Sequence, residues 1–104
     1  MAKIISMESL TMDELIDIYM KDKHGVYIVL FTSEFTTVIY EHEGKNYIME
    51  LCKETGVSWY ELLDADIVIL KFRNKRKAYS FMKKYKNLTY MKMYVNGKYE
   101  DENT

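Results

Sequence analysis

Residues 66–99 read DIVILKFRNKRKAYSFMKKYKNLTYMKMYVNGKY, and this stretch predicts a strand, a helix and a hairpin in succession. Residues 66–72 contain the apolar run 67–70 and end in Phe72, which is typical of a strand buried on both faces. Residues 89–95 alternate in polarity before Asn96-Gly97, the strongest two-residue hairpin signal. If the two strands run in parallel, the helix between them is expected to make a right-handed crossover.

The segment 74–85 is the clearest helix of the chain. Its apolar side chains recur at positions i, i+3, i+4 and i+7, and lysines occupy much of the remaining surface. The apolar stripe consists of Ala78, Phe81, Met82 and Tyr85. We expect this stripe to pack on the sheet and the helix to end before Asn87.

Three more helices are predicted nearer the N-terminus. Residues 11–14 (TMDE) and 58–61 (SWYE) match the capping box, in which a hydroxyl and a carboxylate satisfy free backbone N–H groups. They predict helices over 11–22 and from 58 to about 63. The first helix is expected to bury a stripe consisting of Met12, Leu15, Ile16 and Tyr19. Residues 46–55 fit a helix or a strand, and the spacing of their apolar residues favours the helix.

Two further strands complete the predicted sheet. Residues 26–32 are a continuous run of mostly β-branched and aromatic residues and are expected near the sheet centre. Residues 36–42 are similarly rich in these residue types and suggest a hairpin with them. The predicted fold class is α+β, a two-layer sandwich in which a mixed sheet of four strands, with a fifth as an alternative, packs with three to four helices. Residues 1–104 are expected to form one domain with a frayed tail over 100–104.

Length and composition exclude several classes of protein. A chain of 104 residues with 48% hydrophobic and 30% charged residues suits one small soluble domain. Its longest apolar runs, 26–31 and 67–70, are far shorter than the ~18 residues that a membrane span requires. A single cysteine and the lack of a signal-peptide core at the N-terminus lead us to expect a cytoplasmic protein without membrane partners.

Charge is distributed unevenly along the chain. Residues 1–70 contain 13 acidic and five basic residues, a balance of −8. Residues 71–104 contain ten basic and three acidic residues, a balance of +7. This uneven distribution of charge influences which partners the surface attracts, but it does not indicate the fold.

The residue types of the chain do not favour an enzyme. His24 and His42 have no second histidine or cysteine at a metal-ligand spacing, and the four glycines stand alone rather than in a phosphate-binding loop. Cys52 could pair with His42 as a thiol and base, but a lone cysteine on a helix face is usually a buried hydrophobe. We therefore expect no catalytic residues, metal or cofactor.

Two short stretches resemble known nucleic-acid-binding patterns. Residues 50–62 resemble the helix-turn-helix of DNA-binding repressors, with Cys52, Gly56 and Leu62 at the positions that pack its two helices. The second helix would present acidic side chains and no basic residue to DNA. This resemblance therefore favours a structural helix pair over a DNA-binding element. Phe72 and the helix that follows also resemble the strand-to-helix junction of ferredoxin-like domains, including RNA-recognition motifs. The preceding strand lacks the basic and aromatic start that RNA binding requires.

The segment 71–86 is the strongest candidate for contacting a partner. Basic side chains crowd its first seven residues and continue to Lys86, with a tyrosine among them. The candidate partner-binding residues are Arg73, Lys75, Arg76, Lys77, Tyr79, Lys83 and Lys84. The alternative is a solvated helix surface that only balances the acidic part of the chain.

Two functional hypotheses follow. The first is a small non-enzymatic protein-binding module that docks on the acidic surface of another protein, since methionine and tyrosine are enriched at interfaces. An inhibitor or adaptor encoded by a phage or mobile element is one form of it, because the abundance of lysine, isoleucine, asparagine and tyrosine suggests AT-rich codons. The alternative is a nucleic-acid-binding protein that uses the basic 71–86 segment.

Overall fold

The computed structural model describes residues 11–31 and 41–100, and its helices begin close to their predicted positions. Helix α1 spans Met12–Met20, α2 spans Tyr47–Thr55, α3 spans Trp59–Asp64 and α4 spans Lys75–Tyr85. Side-chain oxygens of the residues just before each helix accept hydrogen bonds from backbone N–H groups of the first turn. These four N-caps are Thr11, Asn46, Ser58 and Asn74. Side-chain capping satisfies donors that would otherwise be unpaired, so it fixes where each helix begins.

The strands form one four-stranded antiparallel sheet and one small hairpin. Strands β1 (Val26–Leu30), β4 (Val68–Phe72), β5 (Met91–Val95) and β6 (Lys98–Glu100) lie in the order β4-β1-β5-β6. Strands β2 (Glu41–His42) and β3 (Lys45–Asn46) pair separately with each other. The α+β class and the four-stranded sheet packed with helices are confirmed. The expected mixed sheet is corrected, because every strand pair in the described residues is antiparallel.

Strand β1 lies between β4 and β5, as its apolar sequence predicted. It pairs antiparallel with both neighbours, so β4 and β5 run in the same direction without touching. Helix α4 therefore connects two parallel strands across the strand between them. Strands β4 and β5 are parallel to each other, but β1 lies between them. Because β1 is antiparallel to both, these hydrogen-bonded strand pairs are antiparallel.

The main core lies between the sheet and α4. Side chains from alternate positions of the strands, such as Ile28, Leu30 and Met93, pack against the predicted stripe of α4. Ala78, Phe81, Met82 and Tyr85 are all buried, which confirms that stripe. Helices α2 and α3 join the same cluster through Leu51 and Leu62.

Helix α1 covers the opposite face of the sheet. Ile16 and Met20 pack with Val29, Phe31 and Tyr94, which point away from α4. Helices therefore lie on both faces, and the two-layer description is corrected to a sheet between α1 and the other helices. The predicted stripe of α1 is also corrected, because its Met12 and Tyr19 are exposed.

The hairpin between β5 and β6 confirms the Asn96-Gly97 prediction. Both residues have positive φ, 49° and 83°, as the favoured two-residue hairpin turn requires. A Cβ atom at Gly97 would lie 2.2 Å from the backbone oxygen of Lys21, which leaves no room for a side chain. Glycine is therefore needed here both for the turn and for the close approach of the end of α1.

Three strand predictions need comment. Strand β4 was expected to be buried on both faces, but its residues are only partly buried or exposed, and it has one neighbour among the described residues. Strand β5 was expected to alternate, but both of its faces are buried because α1 and α4 cover them. The predicted strand 36–42 lies outside the described residues except at Glu41–His42, which pairs with β3.

Candidate functional site

The predicted partner-binding residues lie on α4 and in the turn before it. Helix α4 turns its apolar stripe toward the sheet, so its charged residues face outward or toward neighbouring elements. All six basic residues of the set are exposed, and Tyr79 is partly buried. They divide into ion-paired residues, residues without an acidic partner in the described chain, and Tyr79.

Lys75 and Lys84 are ion-paired within the protein. The Nζ atom of Lys75 lies 3.0 Å from Oε1 of Glu100 in β6. The Nζ atom of Lys84 lies 3.5 Å from carboxylate oxygens of both Glu50 and Glu54 in α2. These two lysines join α4 to its flanking elements, and part of their charge is balanced internally. Exposed pairs of this kind add little stability, about 0–1 kcal/mol.

Four basic residues have no acidic partner in the described chain. These residues are Arg73, Arg76, Lys77 and Lys83. An unpaired surface cation costs little in water, but several such cations on one element create a positive potential that attracts an acidic partner. Within the described residues, ion pairing therefore accounts for Lys75 and Lys84 but not for these four.

The structure brings three basic residues to one groove. Arg76, Lys77 and Lys84 line a cavity of about 590 Å³ between α4 and the end of β4. Its floor includes the aromatic rings of Phe72 and Phe81, whose centroids lie 5.1 Å apart. We call this cavity the basic groove. Arg73, Lys75, Tyr79 and Lys83 do not line it.

Tyr79 contributes to the packing of the main core. It is partly buried and packs against the cluster beneath α4. Its position off the apolar stripe suggested a base-stacking or interface side chain. The packing instead gives its ring a structural contact, so its place in the candidate site is weakened.

One notable polar site was missed from the sequence. Lys92 in β5 is only 5% exposed and lies on the sheet face beneath α1. Its Nζ atom lies 3.4 Å from Oδ1 of both Asp13 and Asp17, and 4.5 Å from the ring centre of Tyr99. The hydroxyl of Tyr94 donates a hydrogen bond to the same Asp17 oxygen. A lysine in the predicted strand 89–95, together with aspartates four residues apart on a predicted helix, was the available signal.

The charges around Lys92 stabilise its protonated form. Burial alone would lower the pKa of Lys92, but the Tyr94 hydroxyl and the two aspartates outweigh it and raise that pKa. Burial and the hydrogen bond to Asp17 raise the pKa of Tyr94 to about 12. The cluster is therefore a satisfied ionic contact at neutral pH, with acceptors for the lysine already in place. Such a cluster holds α1 on the sheet and leaves Lys92 protonated, which does not suit a nucleophile or general base.

Cys52 fits a packing role. It lies on α2, partly buried against the main core. Burial raises the pKa of the Cys52 thiol, and a backbone hydrogen bond offsets this only in part, so the reactive thiolate is disfavoured. The structure does not describe the side chain of His42, the suggested partner of Cys52. In residues 11–31 and 41–100, no group of three or more metal-ligating side chains comes together.

Helices α2 and α3 form the pair that resembled a helix-turn-helix. Gly56 ends α2 with a left-handed φ of 74°, and Ser58 caps α3 two residues later. The exposed side chains of α3 include Trp59, Tyr60 and Glu61, and no basic residue belongs to this six-residue helix. Both helices bury apolar side chains in the main core, and the charge of α3 is unsuited to a phosphate backbone.

Comparisons with known proteins give no relative for this chain. No protein-family model, curated protein or solved structure matches it. No helix in the described part of the chain is long and apolar enough to cross a membrane. Function is therefore inferred from the residues of the chain itself.

Proposed function

We propose that the protein is a non-enzymatic binding module that docks its basic groove, and the cations around it, on an acidic surface of another protein. The observation that carries this proposal is that Arg73, Arg76, Lys77 and Lys83 have no acidic partner in the described chain. Positive potential at such a site speeds encounter with an acidic partner and orients it.

The surroundings of the groove favour a protein partner over nucleic acid. Glu54 lines the basic groove beside Lys84, and Glu50 lies close behind it. Carboxylates in the wall of the site repel a continuous phosphate backbone, whereas a protein surface can place its acids over the cations alone. The apolar floor formed by Phe72 and Phe81 can also receive a nonpolar side chain, as the centres of protein interfaces do.

Other exposed apolar residues support a binding role. Met49, Trp59, Tyr60, Tyr90 and Tyr99 each leave more than a third of their surface exposed. These residue types are enriched at protein interfaces. A small module of this kind acts as an inhibitor or adaptor by covering part of its partner, and we propose this role in the cytoplasm of a low-GC bacterium or its phage.

A capture experiment with charge-reversed variants tests the proposal. The immobilised protein is incubated with lysate of a low-GC bacterium, with and without nuclease treatment, and bound proteins are identified by mass spectrometry. The test variant carries Arg73→Glu, Arg76→Glu, Lys77→Glu and Lys83→Glu. The control carries Lys21→Glu, Lys45→Glu, Lys53→Glu and Lys98→Glu, which changes net charge equally at four other exposed lysines.

The proposal predicts an acidic protein that wild type and the control retain and the test variant loses. Loss from both variants would indicate nonspecific charge attraction. Loss of all captured material on nuclease treatment would instead support the nucleic-acid alternative. Binding to DNA or RNA would then fall by orders of magnitude between about 50 and 200 mM salt.

A further inference from the structure

Strand β4 has an edge that no other described strand covers. It pairs with β1 alone, and all five of its residues retain solvent exposure, whereas Ile28, Val29 and Leu30 of the neighbouring β1 are buried. A strand edge presents unpaired N–H and C=O groups, which can pair with another extended chain.

The strand register shows which groups of β4 point outward. The N–H of Phe31 donates to Tyr90, and the N–H of Asn96 donates to Gly25, so odd-numbered residues of β1 bond to β5. Even-numbered residues of β1 must therefore bond to β4, and their partners are Phe72, Leu70 and Val68. The backbone N–H and C=O groups of Ile69 and Lys71 consequently point away from β1 at the open edge.

A groove runs along this edge. A cavity of about 310 Å³ is lined by Ile69, Leu70, Lys71 and Phe72 of β4, together with Glu54, Thr55 and Phe81. It shares Glu54, Phe72 and Phe81 with the basic groove, so the two cavities adjoin. An extended segment lying on the edge of β4 would therefore reach the cations of α4.

Cations lie on both faces of the sheet near the edge. The one carboxylate among the described residues that line the cavity, Glu54, is engaged by Lys84 and the Tyr85 hydroxyl. Side chains alternate along β4, so Phe72 faces the main core beneath α4 and Lys71 faces the side of α1, where its Nζ lies 6.0 Å from the ring centre of Tyr27. Arg76 and Lys77 lie on the α4 side. Carboxylates on either side of an added strand would meet a cation.

We infer that the partner segment is an extended acidic peptide that adds as a strand to the edge of β4, with its carboxylates on Lys71, Arg76 and Lys77. Main-chain hydrogen bonds to Ile69 and Lys71 would supply affinity, and the flanking cations would select acidic sequences. This inference rests on the proposed function, because it specifies the form of the acidic partner surface.

Peptide selection provides the probe. Random linear peptides are displayed and selected on the immobilised full chain, and the enriched sequences are synthesised for affinity measurements. We expect acid-rich sequences. N-methylation at alternate residues of a selected peptide should abolish binding, and N-methylation at the intervening residues should leave it, because only every second N–H of an added strand faces β4.

A matched pair of variants tests the same contact from the protein side. Ile69→Pro removes one outward N–H at a position where an edge strand tolerates proline, and Ile69→Ala keeps it. The proline variant should bind the selected peptide about tenfold more weakly than the alanine variant, as expected for a lost hydrogen bond. If Ile69→Pro does not fold, binding of the N-methylated peptides to the wild-type protein tests strand addition.

The outcomes separate this inference from the proposed function. Failure to enrich acidic peptides, or equal effects of N-methylation at every position, would overturn strand addition. If the quadruple α4 variant still lost its captured acidic protein, the basic groove would remain the docking surface for a folded partner. If that variant retained the protein, the proposed function itself would fail.

Discussion

The ammonium group of Lys92 lies 3.4 Å from Oδ1 of Asp17, 75 positions earlier in the chain, and donates a hydrogen bond to it. This contact joins α1 to the centre of the sheet. It explains why α1 buries Ile16 and Met20 rather than the stripe that contains Met12 and Tyr19. A helix rotated to bury the more apolar stripe would leave Lys92 buried without its carboxylates, which is costly.

Lys92→Met tests this link between α1 and the sheet. Methionine keeps much of the buried stem but removes the charge and its hydrogen bonds, so we expect a loss of about 1.5–3 kcal/mol in the free energy of unfolding. Urea denaturation measures it, with Lys98→Met as an exposed control. A variant as stable as wild type would mean that apolar contacts alone hold α1.

The same cluster predicts a loss of stability at alkaline pH. The pKa of Tyr94 is raised to about 12 in the folded protein, chiefly by burial and then by its bond to Asp17, against about 10 in an unfolded chain. The unfolded state therefore loses this proton first, and the stabilisation that is complete below pH 10 disappears as pH rises toward 12. The raised pKa of Lys92 acts in the same direction.

Tyr94→Phe isolates the contribution of this tyrosine. Unfolding free energies measured by urea denaturation between pH 8 and 11 should decline less steeply for the variant than for wild type. Part of the decline in unfolding free energy should remain in Tyr94→Phe, because Lys92 and Tyr85 also have raised pKa values. Identical slopes for the two proteins would contradict the assignment.

Phe81→Ala tests the main core. Phe81 is 3% exposed, and its ring centre lies 5.1 Å from that of Phe72 and 4.8 Å from that of Tyr85. Truncation leaves a cavity between the rings of Phe72 and Tyr85, so we expect a loss of about 3–5 kcal/mol. Chemical denaturation measures it, with Lys83→Ala on the outer surface of α4 as the control. A loss below about 1 kcal/mol would be inconsistent with this packing.

Cys52→Ser tests whether the thiol has a functional role. Cys52 lines a cavity between α2 and the β2–β3 hairpin that shares no lining residue with the basic groove. We expect partner binding to stay within a few-fold of wild type and stability to fall modestly, because the thiol is a packing group. A folded variant that lost all activity would revive the hypothesis of a cysteine enzyme.

Local patterns predicted most of the elements. The stripe of α4, the caps at Thr11 and Ser58, and the Asn96-Gly97 hairpin depend on residues close in sequence, and all appear in the structure. The position of β4 depends on long-range pairing, which a buried apolar run does not specify. Its apolar sequence suggested a strand buried on both faces, but within the described residues only β1 pairs with it.

The candidate site was predicted in part. Clustered charge in the sequence drew attention to α4. Helical geometry then directs Lys75 toward Glu100 and Lys84 toward Glu54, which the sequence did not show. The basic groove forms where the end of β4 meets α4. This meeting point depends on the tertiary structure and could not be predicted from local sequence. Lys92 appeared to be an ordinary polar position, because its carboxylate partners are more than 70 residues away.

The association rate between the protein and the purified acidic partner tests the central claim most directly. We would measure it by surface plasmon resonance for wild type, the quadruple variant at Arg73, Arg76, Lys77 and Lys83, and the matched lysine control. The proposed docking predicts slower association and weaker binding for the quadruple variant alone, with the effect shrinking as salt screens the charges. Association of the quadruple variant as fast and as tight as wild type would contradict it.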